Sequence, residues 1–308
     1  MNDNVSNGVK PKYGTCQELR PLDGVSTSDF EMPAGACDTH MHVFGSEDTY
    51  PGVKDRQYLR PPGSLAEYSA LAEKLGISRM VIVQPSFYGT DNRCLLDAMA
   101  ESDLDCRATV FLDPATPPQE LAVMHERGVR GLRLDLFKAL RDGTVDDDIE
   151  AYVRKSAAKV ADLGWHIELY APGTAIRLLT PVLADLPVPV SINHLGFFEL
   201  ADESGNESAA LLIDALSSGR VWIKLTGSYR LDHDQASLFP AVDDLARKMI
   251  AAAPDRMLWG TDWPHLPTCG RDTGAVVGRL ADWCPDAETR NRILVDNAAR
   301  FYDFQVIA

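Results

Sequence analysis

The chain has 308 residues, 45% of them apolar and 24% charged, with a formal net charge of −15. That length suits one large domain able to bury its own core without a disulfide or a metal. So acidic a surface repels a phosphate backbone, which argues against nucleic acid as a partner, and no apolar run approaches the ~18 residues of a membrane span.

Residues 1–34 are polar, rich in Asn, Gly, Pro and Ser, and read as an extended N-terminal arm. Their first stretch, MNDNVSNGVKPKYG, has no apolar signal core, so a cytoplasmic protein is the expectation, as a monomer or small homo-oligomer. Residues 35–308 read as one domain that opens on the apolar run 35-GACDTHMHVF-44. A helical stretch over 64–75, with Ser64 as its N-cap, leads to the run 79-RMVIVQP-85. The pattern then repeats as helix 91–101 and run 107-RATVFLD-113, helix 118–126 and run 128-GVRGLRLDL-136, and helix 148–163, capped by Asp148, with run 165-WHIELYA-171. Next come helix 174–184 and run 188-VPVSINHLG-196, helix 208–217 and run 221-VWIKLTG-227, helix 239–252 and run 256-RMLWGTD-262, and a last helical region over 273–301. Eight short apolar runs alternating with helices predict a parallel sheet of the α/β class closed into a (β/α)8 TIM barrel. An open doubly wound sheet is the alternative. No Gly-rich phosphate loop follows the first run, which counts against its nucleotide-binding form.

In such a barrel, chemistry collects where the strands end. The first run ends in Asp38-Thr39-His40-Met41-His42, the second leads into Ser86, and the fourth carries Arg133 and Asp135. The fifth ends at Tyr170, the sixth at Asn193-His194, the seventh in Thr226-Gly227-Ser228 with Arg230 beyond, and the eighth at Asp262-Trp263-Pro264-His265. His40 and His42, two apart on a strand, point to the same side. Together with His194 and Asp262 they form a candidate catalytic set: imidazoles to polarise a carbonyl or ligate a metal, and a carboxylate to take a proton from water. The competing reading is a group of hydrogen-bonded core histidines. His265 lies close enough to Asp262 to face the site. His125, His166 and His233 read as structural or surface residues, and the six cysteines, with no CxxC pair, read as reduced thiols.

The strings DTHMHVFG, VIVQPSFYGTDN, GVRGLRLDL, INHLG and WGTDWPH resemble the amidohydrolase superfamily, in the branch of the pyrone-dicarboxylate and sulfomuconolactone lactonases. The resemblance runs from about residue 34 to 303. It implies that His40, His42 and His194 activate a lactone carbonyl and that Asp262 activates water. It also implies that Tyr58, Ser86, Arg133, Tyr170 and Arg230 bind the substrate, a small anionic lactone. Arginines suit that role because their guanidinium grips carboxylate or sulfonate through two parallel hydrogen bonds.

One position departs from the resemblance. Where the pyrone lactonase has an arginine after the fourth-strand lysine, Lys138 is followed here by Ala139. Unless Lys138 or Arg141 substitutes, the expected substrate is a muconolactone bearing a sulfonate or carboxymethyl group. The fourth strand offers no bridging lysine within RLDL, so a two-metal centre is not expected. The cofactor expectation is therefore none, or a single Zn2+ on His40, His42, Asp262 and His194. The rival functions are a metal-dependent decarboxylase of the same superfamily, a sugar-acid lactonase, and a non-catalytic barrel that binds acids.

Overall fold

Each apolar run forms a strand. In the computed structural model these are β1 (Cys37–Met41), β2 (Arg79–Val83), β3 (Asp105–Val110), β4 (Val129–Asp135), β5 (His166–Tyr170), β6 (Val190–Ile192), β7 (Val221–Leu225) and β8 (Met257–Trp259). The structure describes residues 18–28, 30–143, 148–232, 235–266 and 269–305. Neighbouring strands pair in parallel in sequence order, giving one eight-stranded sheet. Helices lie between them: α1 (Leu65–Leu75), α2 (Arg93–Glu101), α3 (Pro118–Glu126), α4 (Leu136–Arg141), α5 (Ile149–Val160), α6 (Gly173–Leu183), α7 (Glu203–Ala215), α8 (Tyr229–Asp232) and α9 (Phe239–Ala252). The fold is a (β/α)8 barrel, as the alternation of runs and helices implies.

Local chemistry explains most boundaries. Ser64 and Glu67 form a reciprocal capping box at the start of α1, and Asp148 accepts from Ala151 N at the start of α5. Gly76 closes α1 at φ +74°, a backbone conformation that side chains with a Cβ resist. Helix α7 begins five residues before the expected 208, despite its polar ESGNES start. Gly205 packs so closely on the Glu199 carbonyl that a Cβ would lie 2.1 Å from it, so packing overrides weak propensity. The expected helix over 273–301 is broken into α10 (Thr273–Trp283), α11 (Ala287–Asn291), a π turn and α12 (Asn297–Tyr302). Pro285 ends the first piece by restricting Cys284, and Asp286 caps the next through Thr289 N.

The strands alternate, so their two faces do different work. On β7, Val221, Ile223 and Leu225 join the main core under the helices, while Trp222 and Lys224 face the other way. A smaller apolar cluster of Val81, Trp222 and Leu258 packs with Tyr302 and Phe304. Arg79 and Arg107 hold this C-terminal segment through the carbonyls of Gln305 and Tyr302, at 2.6 and 3.1 Å, and so plug the end where the strands begin. Of the expected arm, residues 1–17 lie outside the described residues, as does His233. Residues 18–28 run along the barrel, where Arg20 donates to Gly270 O and Ser26 N to Asp272 Oδ1. Cys37, Cys94, Cys106 and Cys284 are free thiols, but Cys269 is disulfide-bonded. This corrects the reading of all six as thiols, since the absence of a CxxC pair does not exclude a disulfide.

The seam between β1 and β8 closes the barrel. Met41 of β1 bridges in parallel to Trp263, just past β8, and backbone and side-chain hydrogen bonds supply the rest. Thr39 Oγ1 donates to Trp259 O at 2.8 Å, Asp262 N to His40 O at 2.8 Å, and His42 N to Trp263 O at 2.9 Å. Asp38, fully buried, accepts four hydrogen bonds, from His40 N, Thr261 N, Thr261 Oγ1 and the Tyr68 hydroxyl. Asp38→Ala would strand those donors. We expect a loss of roughly 3 kcal/mol or more, read as a lower urea midpoint with an unchanged slope.

Candidate active site

At the other end of the barrel, three imidazoles converge on one carboxylate oxygen. Nε2 of His40 and of His42 each lie 3.6 Å from Asp262 Oδ1, and Nε2 of His194 lies 4.0 Å from it. The i, i+2 spacing on β1 and its extension aims His40 and His42 at the same point. His194 and Asp262 reach it differently. Both stand just past short strands, at φ +51° and +60°, left-handed conformations that cost a residue with a Cβ on the order of 1–3 kcal/mol. Gly227 leaves room beside them, since a Cβ there would lie 2.5 Å from His194 Nδ1 and 3.1 Å from Asp262 Oδ2.

The two oxygens of Asp262 have different surroundings. Oδ2 accepts from the Tyr229 hydroxyl at 2.5 Å and from Arg230 Nε at 2.7 Å. Oδ1 is buried and has no hydrogen-bond partner among the described residues, and the same is true of His40 Nε2. Burial alone would raise the carboxyl, but Arg230 and the histidines outweigh it and hold Asp262 well below the usual carboxylate range. Burial drives the imidazoles the other way: His40 lies well below its usual value, His42 below it, and His194 is lowered to about 3. A carboxylate thus faces three neutral rings.

Each ring is held from behind. His42 Nδ1 donates to Val83 O at 2.7 Å, so its Nε2 carries a lone pair. His194 Nδ1 meets Thr226 Oγ1 at 2.8 Å. His40 Nδ1 lies 3.5 Å from Lys224 Nζ, which also donates to Thr39 O at 2.8 Å and to Glu168 Oε2 at 2.5 Å. Glu168 in turn accepts from Asn193 Nδ2 at 3.0 Å and stands 3.4 Å from Arg133 Nη1. Lys224 and Glu168 are fully buried, and Glu168 is lowered to about 2 because Lys224 and Arg133 more than offset its burial.

Around this centre, Arg133 is buried with its Nε and Nη1 free of hydrogen bonds and its guanidinium 5.0 Å from the Tyr170 ring centroid. Tyr170, Phe137 and Phe197 form an aromatic wall, with Tyr170 and Phe197 packed edge-on to His194 at 6.0 and 5.1 Å. Tyr58 hydrogen-bonds Ser86, and burial raises its hydroxyl to about 12. Lys138 pairs with Asp55 and Asp142, and Arg141 with Asp142, so both are engaged with carboxylates. His265 is not brought to the cluster: its Nε2 meets Thr273 Oγ1 at 2.9 Å and its ring lies 5.9 Å from Tyr229. His125 accepts from Trp165 Nε1, and His166 stacks on Phe301 at the closed end of the barrel.

Tyr229, Glu168, Lys224, Phe137 and Phe197 did not stand out in the sequence. For Glu168 and Lys224 a signal exists: each is a charge inside a strand that is otherwise apolar, in WHIELYA and VWIKLTG. Buried charges are rare unless paired.

His40, His42 and Asp262 each offer a ligand atom, all within 4.8 Å of one another. Two of these atoms are orphaned and buried, and nitrogen with carboxylate oxygen is a donor set that zinc accepts. By residue type and spacing alone the set matches a single-metal site; the protonation of each ring decides whether its nitrogen can serve as a ligand.

The Glu168 shift has a consequence for stability. A carboxylate lowered from 4.5 to about 2 stabilises the fold fully above pH 4.5, and that contribution is lost as pH falls toward 2. The stability gap between wild type and Glu168→Gln should be flat above pH 5. It should shrink between pH 4.5 and 3 in urea titrations; a gap that stays flat down to pH 3 would contradict the buried ion pair.

The Amidohydrolase family profile matches residues 37–304. The chain is 33% identical over 287 residues to 2-pyrone-4,6-dicarbaxylate hydrolase of Comamonas testosteroni, covering 90% of this chain and 93% of that one. It is 33% identical over 299 residues to 4-sulfomuconolactone hydrolase of Rhizobium radiobacter, covering 96% and 97%. An apo crystal structure from Agrobacterium tumefaciens superposes with a TM-score of 0.80 at 25% identity, covering 91% of this chain and all of the other. With an eight-stranded barrel, paired histidines on its first strand and a carboxylate beyond its last, this chain belongs to the amidohydrolase family.

Proposed function

We propose that this protein is a hydrolase that opens a small anionic lactone, with Asp262 activating the attacking water. The observation that carries the reading is the unpartnered Asp262 Oδ1, set among three neutral imidazoles, with Arg133 of the same barrel end held by Glu168 through Nη1 at 3.4 Å. The relatives named as lactone hydrolases support it.

The chemistry follows from the split carboxylate. Tyr229 and Arg230 hold Oδ2, which fixes the direction of the Oδ1 lone pairs. Water bound at Oδ1 would lose its proton to it while attacking the lactone carbonyl carbon, in the manner of general-base catalysis. His40 and His194 would stabilise the negative charge growing on the carbonyl oxygen, while His42, with its lone pair at Nε2, would accept a hydrogen bond from the water; the rings are preorganised, so they need no reorientation during the reaction. When the ring C–O bond breaks, Asp262 would return the proton to the leaving oxygen.

Arg133, Ser86, Tyr58 and Tyr170 would orient the substrate. Arg230, whose Nε is committed to Asp262, would reach it through its Nη atoms. His265 would act only from behind Tyr229. Should a single Zn2+ bind, His40, His42 and Asp262 would hold it with His194 alongside, and it would supply Lewis-acid polarisation of the carbonyl.

Ala139 is buried, and Lys138 and Arg141 are both engaged with carboxylates, so a second cationic clamp is missing on the β4 side. We therefore favour a muconolactone carrying one sulfonate or carboxymethyl group over the pyrone dicarboxylate. Among the described residues no helix is long and apolar enough to cross a membrane. The Cys269 disulfide weighs against the cytoplasmic expectation, because such bonds persist mainly in oxidising compartments.

A hydrolysis panel tests the reading: the pyrone dicarboxylate, muconolactones with sulfonate or carboxymethyl substituents, and aldonolactones. Release of CO2 in place of ring opening would mark a decarboxylase, and tight binding without turnover would mark a binding protein. Asp262→Asn should lower kcat by about 10³-fold with the fold intact by circular dichroism; near-normal turnover would sink the assignment. Arg133→Met should act mainly on KM, raising it by roughly 30- to 100-fold, the loss expected for a charge-assisted contact.

A further inference from the structure

We infer that Lys224, held by Glu168 beneath the site, places the His40 proton on Nε2 and thereby sets His40 against metal binding. Two oxygen acceptors and one ring nitrogen surround the Lys224 ammonium: Thr39 O at 2.8 Å, Glu168 Oε2 at 2.5 Å and His40 Nδ1 at 3.5 Å. An ammonium has three N–H donors and no lone pair, so a proton on Nδ1 would set donor against donor. The neutral ring must then carry its proton on Nε2, the atom 3.6 Å from Asp262 Oδ1.

The consequence separates two histidines that look alike in sequence. His42 gives its Nδ1 proton to Val83 O and keeps a lone pair at Nε2. His40 presents an N–H there. A metal ligand must offer a lone pair, so the pair as built supplies one donor and one acceptor instead of two metal ligands. The 3.6 Å gap to Asp262 Oδ1 is too long for a direct hydrogen bond, and both atoms are orphaned, which leaves the His40 N–H free for an incoming oxygen. Glu168 makes the arrangement possible. Without its carboxylate a fully buried ammonium would be untenable in the barrel interior. Lys224 is a positioning residue, since it acts on the site only through His40.

The inference does not depend on the lactone reading, because its tests read a proton and a metal, not turnover. Long-range ¹H–¹⁵N correlation on chelator-treated, ¹⁵N-histidine-labelled protein reports the tautomer of each ring, with His40 assigned by loss of its signals in His40→Gln. Wild type should show Nε2–H at His40 and Nδ1–H at His42; Nδ1–H at His40 would overturn the inference without any Lys224 variant needing to fold. Lys224→Gln keeps a donor for Glu168 and adds an amide oxygen that can accept from Nδ1. It should move the His40 proton to Nδ1 and tighten Zn2+ binding at least tenfold, measured by competition with a chromogenic chelator. Zinc affinity equal to or weaker than wild type in a folded Lys224→Gln protein would likewise overturn it.

Discussion

Asp262 is the point on which the rest of the site depends. One of its oxygens is saturated by Tyr229 and Arg230, and the other is buried with no partner among the described residues. A buried carboxylate with one unsatisfied oxygen is costly, and the cost is tolerable only because Arg230 and three ring edges surround it. Those neighbours have structural requirements of their own. Asp262 needs a left-handed backbone, His194 needs another, and the approach of the β7–α8 turn needs Gly227. The strain is carried by the seam between β1 and β8, where Asp38 and Thr261 tie the two strands together on either side of His40.

Beneath this centre the barrel interior is polar where apolar layers would be the norm. Glu168, Lys224, Asn193 and Arg133 make a continuous network through β4, β5, β6 and β7. Its energetic return on folding is small, since a buried ion pair often stabilises no more than apolar side chains of equal volume. What it provides is direction. Lys224 faces His40, and Glu168 stands beside Arg133, so one carboxylate anchors both the ring side and the anion side of the site. Removing Glu168 or Lys224 leaves an unpaired buried charge, which couples the folding of the interior to the geometry at its mouth.

The sequence showed more of the fold than of the site's wiring. Eight apolar runs alternating with amphipathic stretches are a strong periodic signal; seven runs contain the strand they implied, and β3 begins at Asp105, two residues before its run. The ends were harder. Runs six and eight were read through His194 and Asp262 as strand, whereas the chain leaves the sheet at Ile192 and Trp259 and turns left-handed. Helix α4 went unseen because LFKALR directly follows the strand with no turn residue between them. His40, His42, His194 and Asp262 were visible because few residue types can do such chemistry and all four sit at run ends. Tyr229, Glu168 and Lys224 were not, because their importance lies in partners 33 and 56 residues away, a relation that local periodicity does not carry.

Substrate choice rests on how an acidic protein admits an anion. The net charge of −15 disfavours approach at long range, so recognition must be made at short range by cations that are buried and spoken for by few carboxylates. Arg133 meets that condition, with two guanidinium nitrogens free of hydrogen bonds, and Arg230 meets it in part. Lys138 does not, because Asp55 and Asp142 already neutralise it at the rim. Ala139, on α4, is a buried and short apolar side chain that supplies no cation. A second charge placed there would lose its hydration and gain no partner, at a cost of several kcal/mol.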